Sequence, residues 1–227
     1  MSYSIAIDGP AGAGKSTIAK TIAQKLNFIY VDTGAMYRAM GLYFLRQGIT
    51  DEAVMEERCK EAVITIQYEN GEQQVILNDE NVNAYIRTEE AGKMASTVAK
   101  LKAVRNQLVE LQRMLAKKAD VIMDGRDIGT YVLPDANLKV YLTASPRVRA
   151  NRRYLELTDK GAVCDLVKIE QDIIARDEQD MNREFAPLRQ AEDAILVDSS
   201  EMSKDEVVEK IISLYNNVSK DGNFCGN

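Results

Sequence analysis

The stretch IAIDGPAGAGKST, residues 5–17, decides how the chain is read. Gly9, Gly14, Lys15 and Ser16 fill the pattern G-x-x-x-x-G-K-[ST] without a gap. Before it, Tyr3 to Ile7 is a short apolar run that predicts a buried parallel strand. After it, Thr17 to Leu26 carries Ile18, Ile22 and Leu26 at four-residue steps, which predicts a helix. Strand, glycine-rich loop and helix form the setting in which this pattern cradles phosphates. Glycines let backbone N–H groups approach phosphate oxygens, and the helix N-terminus adds partial positive charge. Gly9, Pro10, Ala11, Gly12, Ala13, Gly14, Lys15, Ser16 and Thr17 are therefore candidates to hold a nucleoside triphosphate. Lys15 would reach the β- and γ-phosphates and the Ser16 hydroxyl a Mg²⁺ ion.

Working outward, Phe28 to Asp32 predicts a second strand, followed by Thr33-Gly34 and a helix from Ala35 to about Gln47. Residues 51–61 read as helical. Val63 to Glu69, Asn70-Gly71 and Glu72 to Asn78 then predict a β-hairpin, because Asn-Gly suits the two positive-φ positions of a type I′ turn. Asn81 to Asn83 would add a third strand, and helices are expected near 88–99 and over Val104 to Lys118. Val121 to Met123 and Leu138 to Leu142 are the next core strands. Ser145-Pro146 opens a helix, with Ser as N-cap and Pro in the first turn. Further expectations are a helix from Asp165 to Asn182, a strand over Ala194 to Val197, a helix over Lys204 to Tyr215, and disorder in the final SKDGNFCGN. The fold expected is α/β: a three-layer parallel-sheet P-loop NTPase core with a small antiparallel β insertion and a helical lid. The boundaries expected are a core over 1–33 and 119–227 with a lid at about 147–162, and an acceptor-binding region over 34–118 with the insertion at about 62–84. Ligands in such sheets sit at the carboxyl ends of the strands. Asp8-Gly9, Asp32-Thr33-Gly34 and Asp124-Gly125-Arg126-Asp127 all fall there, as if along one cleft.

Composition narrows the chemistry. The 227 residues contain no histidine, which excludes Ser-His-Asp and Cys-His machinery and His-ligated metals. Phosphoryl transfer needs mainly positioning and charge stabilisation, so it survives that exclusion. Net charge is −6, against broad binding to nucleic acid. No apolar run is long enough for a bilayer, and the N-terminus lacks the layout of a secretory signal. Cys59, Cys164 and Cys225 are far apart and odd in number, with neither a disulfide framework nor zinc spacing. They read as core filler or tail, and the expected setting is a reducing cytoplasm.

Three features bear on a second substrate. Leu166, Ile169 and Ile173 step along one helix face, and the same step continues to Arg176, Asp180 and Arg183. That stripe either lines a polar cleft or emerges into solvent with Arg176 and Asp180 as an i,i+4 pair. RVRANRR, residues 147–153, places four arginines in seven residues directly after a core strand. A mobile helix closing over phosphates would use them to neutralise transition-state charge; a solvated basic face is the plainer alternative. Arg126, between Asp124 and Asp127, suits an anionic substrate or a strand-end ion pair.

Taken together, GPAGAGKST, VDTGAMYR at 31–38, IRTEE at 86–90, DGRDIGT at 124–130 and RDEQDMNREFAPL at 176–188 resemble, in order, the bacterial cytidylate kinases, a family of P-loop nucleoside monophosphate kinases. The hairpin also resembles an insertion of the bacterial members. The resemblance implies transfer of the γ-phosphoryl of ATP to CMP or dCMP; Mg²⁺ is the expected cofactor and a monomer the expected state. It implies that Thr33 lies near the acceptor phosphate and that Arg38, Arg126 and Arg183 clamp it. Ser96, Arg105 and Asp127 would read cytosine, and Arg176 and Asp180 would hold the sugar hydroxyls. Arg149, Arg152 and Arg153 would belong to the lid over ATP. A carboxylate suits the exocyclic amino group of cytosine and would be left unpaired by uracil. Ser16 stands where some relatives have Gly, which favours a side-chain ligand to Mg²⁺. Asp32 is paired with it as a metal-site candidate, with Asp124 the alternative. Another P-loop kinase acting on AMP, UMP, dTMP or a metabolite such as shikimate would share the loop and differ in the acceptor pocket. A GTP-hydrolysing switch would carry N-K-x-D after a strand, and the chain has none. A non-catalytic nucleotide sensor would have little use for so many arginines.

Overall fold

The computed structural model describes residues 2–221. The helices are α1 (Lys15–Leu26), α2 (Thr33–Gln47), α3 (Glu52–Arg58), α4 (Glu89–Val98), α5 (Lys102–Lys118), α6 (Pro146–Asp159), α7 (Leu166–Met181) and α8 (Lys204–Asp221). The strands are β1 (Ser4–Asp8), β2 (Ile29–Asp32), β3 (Ile64–Glu69), β4 (Glu72–Leu77), β5 (Glu80–Asn81), β6 (Val121–Gly125), β7 (Leu138–Thr143) and β8 (Ile195–Asp198). A five-stranded parallel sheet runs in the order β2-β6-β1-β7-β8, and a three-stranded antiparallel sheet runs β3-β4-β5. Two compact units result, Ile29–Val121 and Tyr3–Phe28 with the chain from Ile122 onward.

In the second unit, β1 pairs with β7 from Ile5–Leu138 to Asp8–Tyr141, and β7 with β8 from Val140–Ile195 to Thr143–Asp198. Ile5, Ala6, Ile7, Ile122, Met123, Val140, Leu142 and Val197 are buried, as strands covered on both faces require. Ile18 and Ile22 of α1 and Val207, Val208 and Ile211 of α8 complete this core. Gly9 closes β1 at φ +148°, and a Cβ there would lie 1.9 Å from the carbonyl oxygen of Leu142. Only glycine lets the loop leave the sheet so close to β7. Ser145 caps α6 as expected, its hydroxyl accepting from the N–H of Val148, with Pro146 in the first turn. Asp165 caps α7 in the same way, through Val167 and Lys168.

The other unit is built on α2, whose Met36, Met40 and Phe44 are fully buried, with α4 and α5 packed against it. The hairpin forms as expected, with Asn70 at φ 52° and Gly71 at φ 77° in the turn. The third strand is shorter and earlier than expected, Glu80–Asn81, because Asn83 turns its side chain onto β4 and accepts from the N–H of Val75.

Other local features depart from the sequence pattern. Thr33 and Gly34 open α2 rather than preceding it, since Asp32 is the N-cap and accepts from Ala35. Five residues after Asp127 form one turn of π-helix, Ile128–Val132, which no periodicity announced. Helix α8 continues past Tyr215 to Asp221, so 219–221 are helical where disorder was expected. Val218 is half-buried and continues the stripe of Ile211 and Tyr215. The remainder of that tail, with Cys225, lies outside the described residues. Cys59 is buried and Cys164 half-buried, both as free thiols. No helix of the described residues is long and apolar enough to cross a membrane.

Candidate active site

The loop of residues 9–14 ends at Gly14, φ 86°, and α1 begins with Lys15. Lys15 is buried and its ammonium donates to the carbonyl of Pro10 at 2.8 Å. Burial, and then the charge of Arg126, lower its pKa to about 7, partly offset by Asp124, Asp8 and Asp180. Burial disfavours the charged form of this lysine, and phosphate oxygens would favour it. The Ser16 hydroxyl donates to Asp124 at 2.8 Å, at the end of β6. A hydroxyl and a carboxylate so placed are hard oxygen donors of the kind Mg²⁺ takes, one or two from protein and the rest from phosphates and water. Asp32, the other carboxylate considered for the metal, caps α2 and pairs with Arg38 at 3.1 Å and Arg87 at 3.5 Å.

Beneath the loop lies a buried ion pair. Arg149 of α6 and Asp177 of α7 meet at 2.7 Å, both almost fully enclosed. Arg149 also donates to the carbonyls of Ala144 at 2.8 Å and Ala11 at 2.9 Å. Asp177 accepts from the N–H of Ala11 at 3.3 Å. Both polar groups of one loop peptide residue are thus held by one charged pair. Arg152 turns instead to Ser199, at 3.2 Å to its hydroxyl and 2.7 Å to its carbonyl, and Arg153 pairs with Glu156 at the exposed surface. The three arginines of α6 therefore serve three different neighbourhoods.

In the same unit Arg126 donates to Asp180 at 2.7 Å, and Arg183 pairs with the other oxygen of that carboxylate at 3.2 Å. Burial alone would raise the pKa of Asp180, but Arg126 and Arg183 bring it below the ordinary carboxylate value. Arg176 stays exposed. Asp127 is buried, and its carbonyl receives the first bonds of the π turn, from Tyr131 and Val132. Asp8 pins that turn by accepting from Ile128 and Gly129, each at 2.7 Å. Burial raises Asp8 to about 7 despite those two donors.

In the unit Ile29–Val121, Thr33 is buried at the start of α2. A Cβ at Gly34 would meet the Arg38 guanidinium at 3.2 Å and the Asp32 carboxylate at 3.3 Å, so the glycine lets that pair close. Arg105 of α5 is fully buried, lies over the Tyr37 ring at 5.6 Å and donates to the carbonyl of Ala99 at 3.3 Å. The Ser96 hydroxyl donates to the carbonyl of Gly92 at 3.3 Å.

The cytidylate kinase family model matches residues 5–217. The chain belongs to the cytidylate kinase family. A cytidylate kinase of Caldicellulosiruptor bescii is 50% identical over 218 residues, 95% of this chain and 96% of that one. One from Alkaliphilus oremlandii is 51% identical over 216 residues, 94% and 98% of the two chains. Among solved structures, a gluconokinase from Sinorhizobium meliloti 1021 superposes with a TM-score of 0.52 at 13% identity, covering 99% of this chain and 98% of that one. That likeness is one of fold, and it agrees with a P-loop kinase core. Against the membership of the family, two charged residues stand out that sequence reading missed, Asp177 and Asp8. Asp177 follows Arg176 in the stripe, and the helix turns Asp177 rather than Arg176 inward. Asp8 had only its place at a strand end as a signal.

Proposed function

We propose that this cytidylate kinase family member transfers the γ-phosphoryl group of ATP to CMP or dCMP, giving ADP and CDP or dCDP. An oxygen of the acceptor phosphate attacks the γ-phosphorus, and the bond to the β–γ bridging oxygen breaks. Lys15 meets the β- and γ-phosphates, whose negative charge favours its charged form against burial. Ser16 and Asp124 would hold Mg²⁺, which would neutralise phosphate charge. Arg126 and Arg183, fixed through Asp180, carry the acceptor phosphate, and Arg176 and Asp180 lie toward the sugar hydroxyls. Thr33 and Arg38 serve the same phosphate, and Ser96, Arg105 and Asp127 read cytosine. The core carries the ATP loop, the region over 34–118 the acceptor, and α6 acts as a lid through Arg152 and Arg153. Arg149 holds the loop itself. ATP and the nucleoside monophosphate are the expected partners, and the cysteine usage fits a reducing cytoplasm.

The observation that carries this reading is one compact unit holding both Lys15 with Ser16–Asp124 and the Arg126–Asp180–Arg183 cluster. Arginines braced by a carboxylate are preorganised for phosphate and leave little reorganisation for the reaction. The test is coupled ADP production from Mg-ATP with CMP, dCMP, UMP, AMP and shikimate offered separately. Fast turnover on CMP and dCMP alone is expected. Fast turnover on another acceptor would overturn the roles of Ser96, Arg105 and Asp127, and equal ADP without acceptor would overturn the kinase reading.

A further inference from the structure

The antiparallel insertion has two faces. Ile64 pairs with Leu77, Ile66 with Val75 and Tyr68 with Gln73, so these six share one face. Ile64, Val75 and Leu77 are buried, which makes it the inward face. Its apolar row ends in the polar pair Tyr68 and Gln73. The Tyr68 hydroxyl donates to the carbonyl of Tyr30 at 3.1 Å. The Gln73 amide oxygen accepts from the N–H of Asp32 at 2.8 Å, and its nitrogen donates to the carbonyl of Asp32 at 3.2 Å. Tyr30 and Asp32 are alternate residues of β2, an edge strand of the large sheet. Gln73 supplies there the donor and acceptor that a neighbouring strand would give.

Asp32 is held twice, since its carboxylate also caps Ala35 and grips Arg38. With its backbone fixed by Gln73, the direction of that carboxylate is fixed, and with it the guanidinium of Arg38. We propose that Gln73, assisted by Tyr68, is a positioning residue for the acceptor phosphate, acting through Asp32 on Arg38. The proposal rests on the reading that Arg38 binds that phosphate. It makes the insertion a device that sets acceptor affinity and leaves ATP alone. Glutamine is required because Glu loses the donor, Leu loses both groups and Asn is one methylene too short.

The test is steady-state kinetics on the full chain with Mg-ATP and CMP. Gln73→Leu raises KM for CMP about tenfold, the effect of one or two lost hydrogen bonds, while kcat and KM for ATP stay within about twofold. Tyr68→Phe removes a single hydroxyl with the fold kept, and raises KM for CMP about two- to threefold. Arg38→Gln raises KM for CMP by itself, and Gln73→Leu adds nothing on that background. If Arg38→Gln is impaired while Gln73→Leu keeps its KM for CMP, the positioning role falls and the reading of Arg38 stands. Equal losses in kcat and both KM values, or full additivity with Arg38→Gln, also overturn it. If Arg38→Gln binds CMP normally, the reading of Arg38 falls and the proposal with it.

Discussion

Replacing Asp177 with Ala separates two roles for the arginines of α6. In the structure Arg149 and Asp177 meet at 2.7 Å with both side chains almost wholly enclosed. Removing the carboxylate leaves a guanidinium in the interior with no counter-charge, which costs about 3–5 kcal/mol. Arg149 keeps the carbonyls of Ala144 and Ala11, so the lower end of that range, roughly 3 kcal/mol, is the expected loss. With a urea slope of roughly 2 kcal/mol/M the midpoint should fall by about 1.5 M. The chain has no tryptophan, so circular dichroism is the suitable probe. The N–H of Ala11 also loses its acceptor, and KM for ATP should rise more than KM for CMP. The double variant Arg149→Met with Asp177→Leu replaces the pair by apolar groups. It should recover most of the stability, as buried pairs replaced whole usually do. It should not recover ATP affinity, because Ala11 still lacks both partners. An Asp177→Ala protein within about 1 kcal/mol of the parent and normal in KM for ATP would refute the reasoning. So would Arg149→Met losing kcat alone at unchanged stability, the behaviour of a lid arginine acting only on the transferring phosphate.

Three further outcomes follow from the same site. Lys15 is lowered to about 7 by burial and Arg126, while phosphate oxygens favour its charged form, so its pKa rises on binding. ATP binding then takes up protons above pH 7 and weakens as pH climbs; calorimetry at pH 8 in buffers of different ionisation enthalpy should read up to about one proton, lost in Lys15→Met, and zero uptake in the parent would sink the idea. Asp127→Asn should reduce the CMP-to-UMP ratio of kcat/KM about tenfold or more, because the uracil carbonyl then meets a donor; an unchanged ratio would remove Asp127 from base reading. Gly9→Ala would push a Cβ to 1.9 Å from the Leu142 carbonyl and pry β1 from β7, so its thermal midpoint should fall by roughly 10 °C or more, and a normal midpoint would contradict the packing.

What the sequence disclosed and what it hid divide along a physical line. Strands β1, β6 and β7, helix α1 and the hairpin were legible because periodicity and turn chemistry are local: apolar runs, four-residue steps and Asn-Gly each act within a few residues. The π turn at Ile128–Val132 was not, because Asp8, 120 residues earlier, holds its first N–H group. Thr33 and Gly34 belong to α2 because Asp32, and not a residue after them, takes the cap.

The site shows the same division more sharply, in the charged residues. A 3-4 step from Ile173 reaches both Arg176 and Asp177, and periodicity alone does not say which of the two turns inward. Packing buries the aspartate, because the buried Arg149 requires a counter-charge at that point of α7. Likewise the run RVRANRR looks like one basic surface, yet Arg149, Arg152 and Arg153 end on a loop peptide, a strand-end serine and a surface glutamate. Charge density along a chain therefore does not tell one cation's place from the next; the partner that each holds does. Arg126 and Arg183 share the Asp180 carboxylate, while Arg149 gives its donors to Asp177 and to the carbonyls of Ala144 and Ala11. By that rule Gln73, uncharged and outside every motif, ranks with the arginines: it fixes the residue that fixes Arg38.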